Sequence, residues 1–123
     1  MPIRTYRDLT VWQRAIDLAA ETYRCTRTFP IDERYGITQQ IRRAAVSISS
    51  NIAEGQGRYH RPEYLHHLSY ARGSLQELRS LLTVAERLGF VFGTPPETMN
   101  DLCDQVGRML AGLRQSLLKN HKP

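Results

Sequence analysis

The sequence has 123 residues, of which 41% are hydrophobic and 24% charged, and a formal net charge of +5 at neutral pH. That is enough chain for one domain with a real core, and no apolar run approaches the roughly 20 residues that span a bilayer. MPIRTYRDL lacks the apolar segment of a secretory signal, and Cys25 and Cys103 match no zinc or redox spacing, so a reducing cytoplasm is the expected compartment.

The apolar spacings predict four helices, over about 9–27, 38–55, 62–88 and 95–118. Asp8 is the expected N-cap of the first. Its main apolar stripe is Trp12, Ala15, Ile16, Ala19 and Tyr23, and Val11, Leu18 and Cys25, spaced by seven, form a second seam. Phe29-Pro30 breaks this helix, and IDERYG is a short connection. In the second helix Ile37, Ile41, Ala44, Ala45, Ile48 and Ile52 share one face. Val46, Ser49 and Ala53 run beside it, so this helix is expected to touch two neighbours at close range. Gly55 and Gly57 are expected to stop it in a left-handed conformation.

QGRYHR leads to Pro62, suited to the first turn of the third helix. Tyr64, Leu68, Ala71, Leu75, Leu78, Leu82 and Ala85 then alternate by four and three, which is a heptad seam. Leu81, Val84 and Leu88 begin a second seam, and Gly73 sits mid-helix, where a close helix approach would explain it. Thr94-Pro95-Pro96-Glu97 reads as a capping box opening the fourth helix. Met99, Cys103, Val106, Leu110, Leu113 and Leu117 supply its seam, and the tail KNHKP is expected to fray. The architecture these elements predict is an all-α, antiparallel up-and-down four-helix bundle.

The charge is unevenly distributed. Residues 34–79 carry seven arginines against three glutamates, net +4, whereas residues 1–33 carry no net charge. The excess marks the second and third helices and their connection as a candidate polyanion surface. Arg42, Arg43, Arg58, Arg61, Arg72 and Arg79 are its candidate contacts, with Tyr59, His60 and Tyr64 available for stacking. The competing reading pairs the helical arginines with Glu54, Glu63 or a neighbouring subunit. The apolar residues in excess of one bundle's needs, Val11, Leu18, Cys25, Leu81, Val84 and Leu88, are the expected oligomer interface.

DLTVWQRAIDLAAETYRCTRTFP, ERYGITQQIRRAAVSISSNIAEGQGR and YARGSLQELRSLL follow one another in an order that resembles a known family. These are the four-helix bundle proteins first noticed as products of intervening sequences within bacterial 23S ribosomal RNA genes. The accessory variability determinant of diversity-generating retroelements is similar to them. The resemblance covers about Tyr6 to Leu88 in motif and the last helix more loosely. Its most specific element is Arg42 to Gly55, RRAAVSISSNIAEG, where Ser49 stands in place of a more usual proline. The resemblance implies a barrel-like homopentamer without established catalytic activity. For the retroelement protein it implies a basic surface, nucleic-acid binding and a complex with a reverse transcriptase.

No catalytic constellation is legible. His60, Glu63 and His67 have ligand-like spacing, but Pro62 disfavours helix at Arg61, and Glu63 and His67 read as an exposed pair rather than a metal site. The serines of VSISSN lack a nucleophile elbow, and Gly55-Gln56-Gly57 lacks the lysine and strand context of a phosphate loop. No enzyme, metal or cofactor is expected. The leading expectation is an oligomeric helical scaffold that binds RNA or DNA. The alternative is a protein–protein interaction scaffold that binds no nucleic acid.

Overall fold

Four helices form close to where the apolar spacings predict them, in a computed structural model that describes residues 2–119. They are α1 (Thr10–Thr26), α2 (Ile37–Gln56), α3 (Arg61–Arg87) and α4 (Pro96–Lys119). Single 3-10 turns at Tyr6–Asp8 and Ile31–Glu33 precede α1 and α2, and no strand occurs among the described residues. Consecutive helices pack on each other and α1 closes against α4, with no diagonal pairs among the described residues. The result is an up-and-down bundle around one core. No helix among the described residues is long and apolar enough to cross a membrane. Residues 120–123 of the tail lie outside the described residues.

The first helix is rotated from its expected setting. Val11, Leu18 and Cys25 are not an oligomer surface; all three are buried in the chain's own core, with Leu18 at 0% exposure. Ile16 and Tyr23, expected inside, face outward. The reason is threonine. Thr22 and Thr26 are buried beside Cys25, their hydroxyls donating to the carbonyls of Leu18 at 2.7 Å and Thr22 at 2.9 Å. A hydroxyl satisfied by its own helix carries no unmet polar group into the core. Val11, Ala15, Leu18, Thr22 and Cys25 therefore form an unbroken four–three seam. On α3, Leu81 packs partly against the core while Val84 and Leu88 stay exposed.

Both ends of α1 are also held differently from expectation. Asp8 does not cap it; its carboxylate accepts from the backbone N–H groups of Arg4 and Thr5, closing the preceding 3-10 turn. At the other end the α3–α4 connection clasps α1. Gly89, with φ of 79°, ends α3 in the left-handed conformation. The N–H groups of Gly89 and Phe90 donate back to Glu86 and Ala85, the paired bonds of a Schellman motif. Phe90 and Phe92 then meet Phe29 with ring centroids 5.3 and 5.4 Å apart. Gly93 donates to the Cys25 carbonyl at 2.8 Å and lies so close to the Arg24 carbonyl that a Cβ would collide with it. The buried Thr94 hydroxyl donates to Glu21 at 2.5 Å, and α4 begins at Pro96.

The most extensive interface joins α2 to α3. Gly55 neither ends α2 nor adopts a positive φ; it is a buried helical residue on which α3 rests. A Cβ there would stand 2.8 Å from the His67 Cβ and 3.0 Å from the Tyr64 ring. Gly57 ends the helix with an ordinary φ of −78°. Gly73, by contrast, faces open space, so no close approach within the bundle explains it.

Two outcomes follow for stability. Gly55→Ala should lower the thermal midpoint, since overpacking a tight contact costs about 1–3 kcal/mol, whereas Gly73→Ala should raise it, because helix propensity adds up to about 1 kcal/mol of stability. Equal effects would show that α2 and α3 do not meet at Gly55. Thr94→Val tests the clasp. The Thr94 hydroxyl first, and Arg24 second, hold the Glu21 carboxyl below its ordinary value of 4.5. A lowered folded-state value stabilises the fold above the unfolded pKa, and that contribution is lost as the pH falls through the folded one. Denaturant unfolding should therefore separate wild type from Thr94→Val at pH 7 and bring them together in acid.

Candidate functional site

The basic residues of the second and third helices do not form one surface. Arg42 and Arg43 lie in the first half of α2, while Arg58, Tyr59, His60 and Arg61 surround its far end. At a rise of 1.5 Å per residue these sets are roughly 20 Å or more apart. Arg72 and Arg79 point elsewhere again, toward α4. Arg79 is paired with Asp104 of α4 at 2.8 Å, and Arg72 lines a groove of about 490 Å³ with Arg114 and Gly107 of α4. In a square of helices, the α3–α4 face is opposite the α1–α2 face.

The far-end set is dispersed. Arg58 approaches Glu63 at 3.9 Å, Tyr59 is 99% exposed, and His60 is the residue from which α3 starts. Arg61 opens α3 and is partly buried. Tyr64 is partly buried, with its ring against Gly55, and this burial raises its phenol pKa. His67 turns toward α2 rather than toward Glu63. Its Nδ1 lies 3.1 Å from Asn51 Oδ1 and 3.6 Å from the Glu54 carboxylate. Asn51 donates to Ser47, and Ser74 donates to the same Ser47 hydroxyl at 2.9 Å. These side chains form a polar ladder that zips α2 to α3. No group of three His, Cys, Asp or Glu among the described residues is arranged to hold a metal ion.

What converges is a groove of about 550 Å³ between the end of α1 and the start of α2, lined by Tyr23, Arg34, Tyr35, Gln39, Arg42, Arg43, Val46 and Ser47. The rotation of α1 that buries its threonines turns Tyr23 into this groove. Arg42 lies over the Tyr23 ring at 4.6 Å from the centroid, and its Nε donates to Thr26 at 2.9 Å. Arg34 covers one face of Tyr35 at 4.9 Å. No carboxylate lines the groove, and among the described residues none of its three arginines is in an ion pair. Arg43 also lines a smaller groove of about 300 Å³ that includes Glu77. Sequence reading found Arg42 and Arg43 but missed Tyr23, Arg34 and Tyr35. The ERYG stretch before α2 was the available signal, an arginine next to an aromatic in a loop.

The two thiols lie outside any such site. Burial pushes Cys25 and Cys103 up to about 11, which keeps the nucleophilic thiolate scarce at neutral pH.

The model of one family, the 23S rRNA-intervening sequence proteins, matches residues 7–112. The chain belongs to that family. The match includes the whole of α1, α2 and α3 and most of α4, so both the groove and the polar ladder lie inside the family domain. A search of curated proteins finds no match to the chain.

Proposed function

We propose that this family member is a non-enzymatic, homo-oligomeric scaffold of the cytoplasm that binds nucleic acid through the α1–α2 groove. The observation that carries the reading is the convergence of Arg34, Arg42 and Arg43 on one open groove with two tyrosines and no carboxylate. Guanidinium groups form bidentate bonds with phosphate, and an unneutralised trio on a rigid helix and its leading turn attracts a polyanion. The pairing of Arg79 with Asp104 removes it from the contact set, and Arg58 beside Glu63 contributes less. Self-association rests on Val84 and Leu88, which α3 leaves exposed beyond the chain's own core. The resemblance to the retroelement determinant supports a pentamer and makes a reverse transcriptase the partner class of interest. Repetition of the groove in each subunit would convert weak contacts into avidity.

Binding of RNA or DNA should weaken steeply with salt as phosphates exchange counterions for arginine. Arg34→Ala/Arg43→Ala should lower affinity for unrelated sequences alike and flatten the salt dependence by about one counterion per lost contact. Arg58→Ala/Arg61→Ala, at the opposite end of α2, should change it less. A wild-type protein that retains no nucleic acid at low ionic strength sinks this reading and favours the protein-interaction scaffold. Sedimentation tests the assembly. Wild type should exceed the 14.2 kDa chain mass several-fold, and Val84→Glu/Leu88→Glu should reduce it toward a folded monomer. A monomeric wild type removes the oligomer.

A further inference from the structure

The geometry points to a single-stranded ligand in the α1–α2 groove, with an unpaired base stacked on Tyr35 and the adjoining phosphates held by Arg34 and Arg43. This inference rests on the nucleic-acid reading above and makes it more specific.

Three features carry it. Tyr35 is 79% exposed although Arg34 lies over one of its faces, so the opposite face of the ring is open to solvent. A guanidinium on one face and an open second face make a half-built stack, which a planar base completes. Tyr23 lines the same groove, with Arg42 over its ring. That arginine is held by Thr26, so this second aromatic is fixed in place rather than free to swing. The arginines that would meet phosphates are thus interleaved with rings that would meet bases, the combination used by sequence-tolerant single-strand binders.

A duplex cannot use these rings. Its bases are paired and stacked on one another, and only its outer phosphates would reach Arg34 and Arg43. A groove of about 550 Å³ has room for a nucleotide or two. Gln39 and Ser47 add side-chain donors and acceptors to the lining, and Val46 adds an apolar element. An acidic peptide would satisfy the arginines but leave the open face of Tyr35 without a planar partner. The rings therefore favour nucleic acid over a polyanionic protein.

The test uses the full-length protein and mixed-sequence oligonucleotides of about 12 nucleotides, prepared as RNA and as DNA, each single-stranded and as a duplex. Some single strands carry 2-aminopurine, whose fluorescence is quenched on stacking. Wild type should bind the single strands more tightly than the duplexes and quench the probe. Tyr35→Ala, a change at an exposed loop residue that leaves the core untouched, should lower single-strand affinity between about 5- and 150-fold. It should abolish the quenching and change duplex affinity by less than about twofold, and Tyr35→Phe should restore wild-type behaviour. The RNA and DNA arms identify which sugar the groove takes. Single-strand binding that depends on Arg34 and Arg43 but is unchanged in Tyr35→Ala overturns the stacking inference and leaves the nucleic-acid reading standing. Preferred duplex binding overturns it in the same way. Absence of all nucleic-acid binding, or displacement only by an acidic peptide, overturns both.

Discussion

The close approach of α2 and α3 is the constraint on which the rest of the structure depends. Gly55 lets the Tyr64 ring and the His67 stem lie directly on α2, and the Ser47, Asn51, Ser74 and His67 ladder fixes the register between the two helices. Ala44, Ala45 and Ser49 keep the buried faces of α2 shallow. A helix pinned this way on one side has no freedom to rotate. Its arginines at positions 42 and 43 are then carried round toward α1, where the groove forms.

The second determinant is the economy of the threonines in α1. A hydroxyl bonded to the carbonyl one turn back behaves in a core much like a small apolar group, because its polar demand is met within its own helix. Thr22 and Thr26 use this to complete the Val11–Cys25 seam. The residues displaced outward include Tyr23, and Thr26 still accepts a bond from Arg42. One rotation thus packs the core and furnishes a wall of the groove. The groove and the core are set by the same helix angle.

The α3–α4 connection adds the third tie. Through Gly93, Thr94 and the Phe29–Phe90–Phe92 cluster it holds the C-terminal end of α1, the end that carries Tyr23 and Thr26. A loop that would otherwise only link two helices therefore braces the groove from behind. This bracing is polar as well as apolar, since the lowered Glu21 carboxyl belongs to it.

The sequence by itself determined the number of helices, their order and nearly their bounds, because the four–three spacing and the glycine and proline punctuation are local properties. It also determined the seams of α2, α3 and α4, and it singled out Arg42 and Arg43. Only the tertiary structure decided which of two competing stripes on α1 is buried, since that depends on whether buried hydroxyls find partners. It alone decided that Gly55 is a contact and not a stop, which requires the position of a second helix. It separated the arginines onto different faces and brought Arg34 and Tyr35 beside Tyr23. Residues from α1, a loop and α2 meet there through packing angles between helices, and no spacing along one chain encodes such an angle.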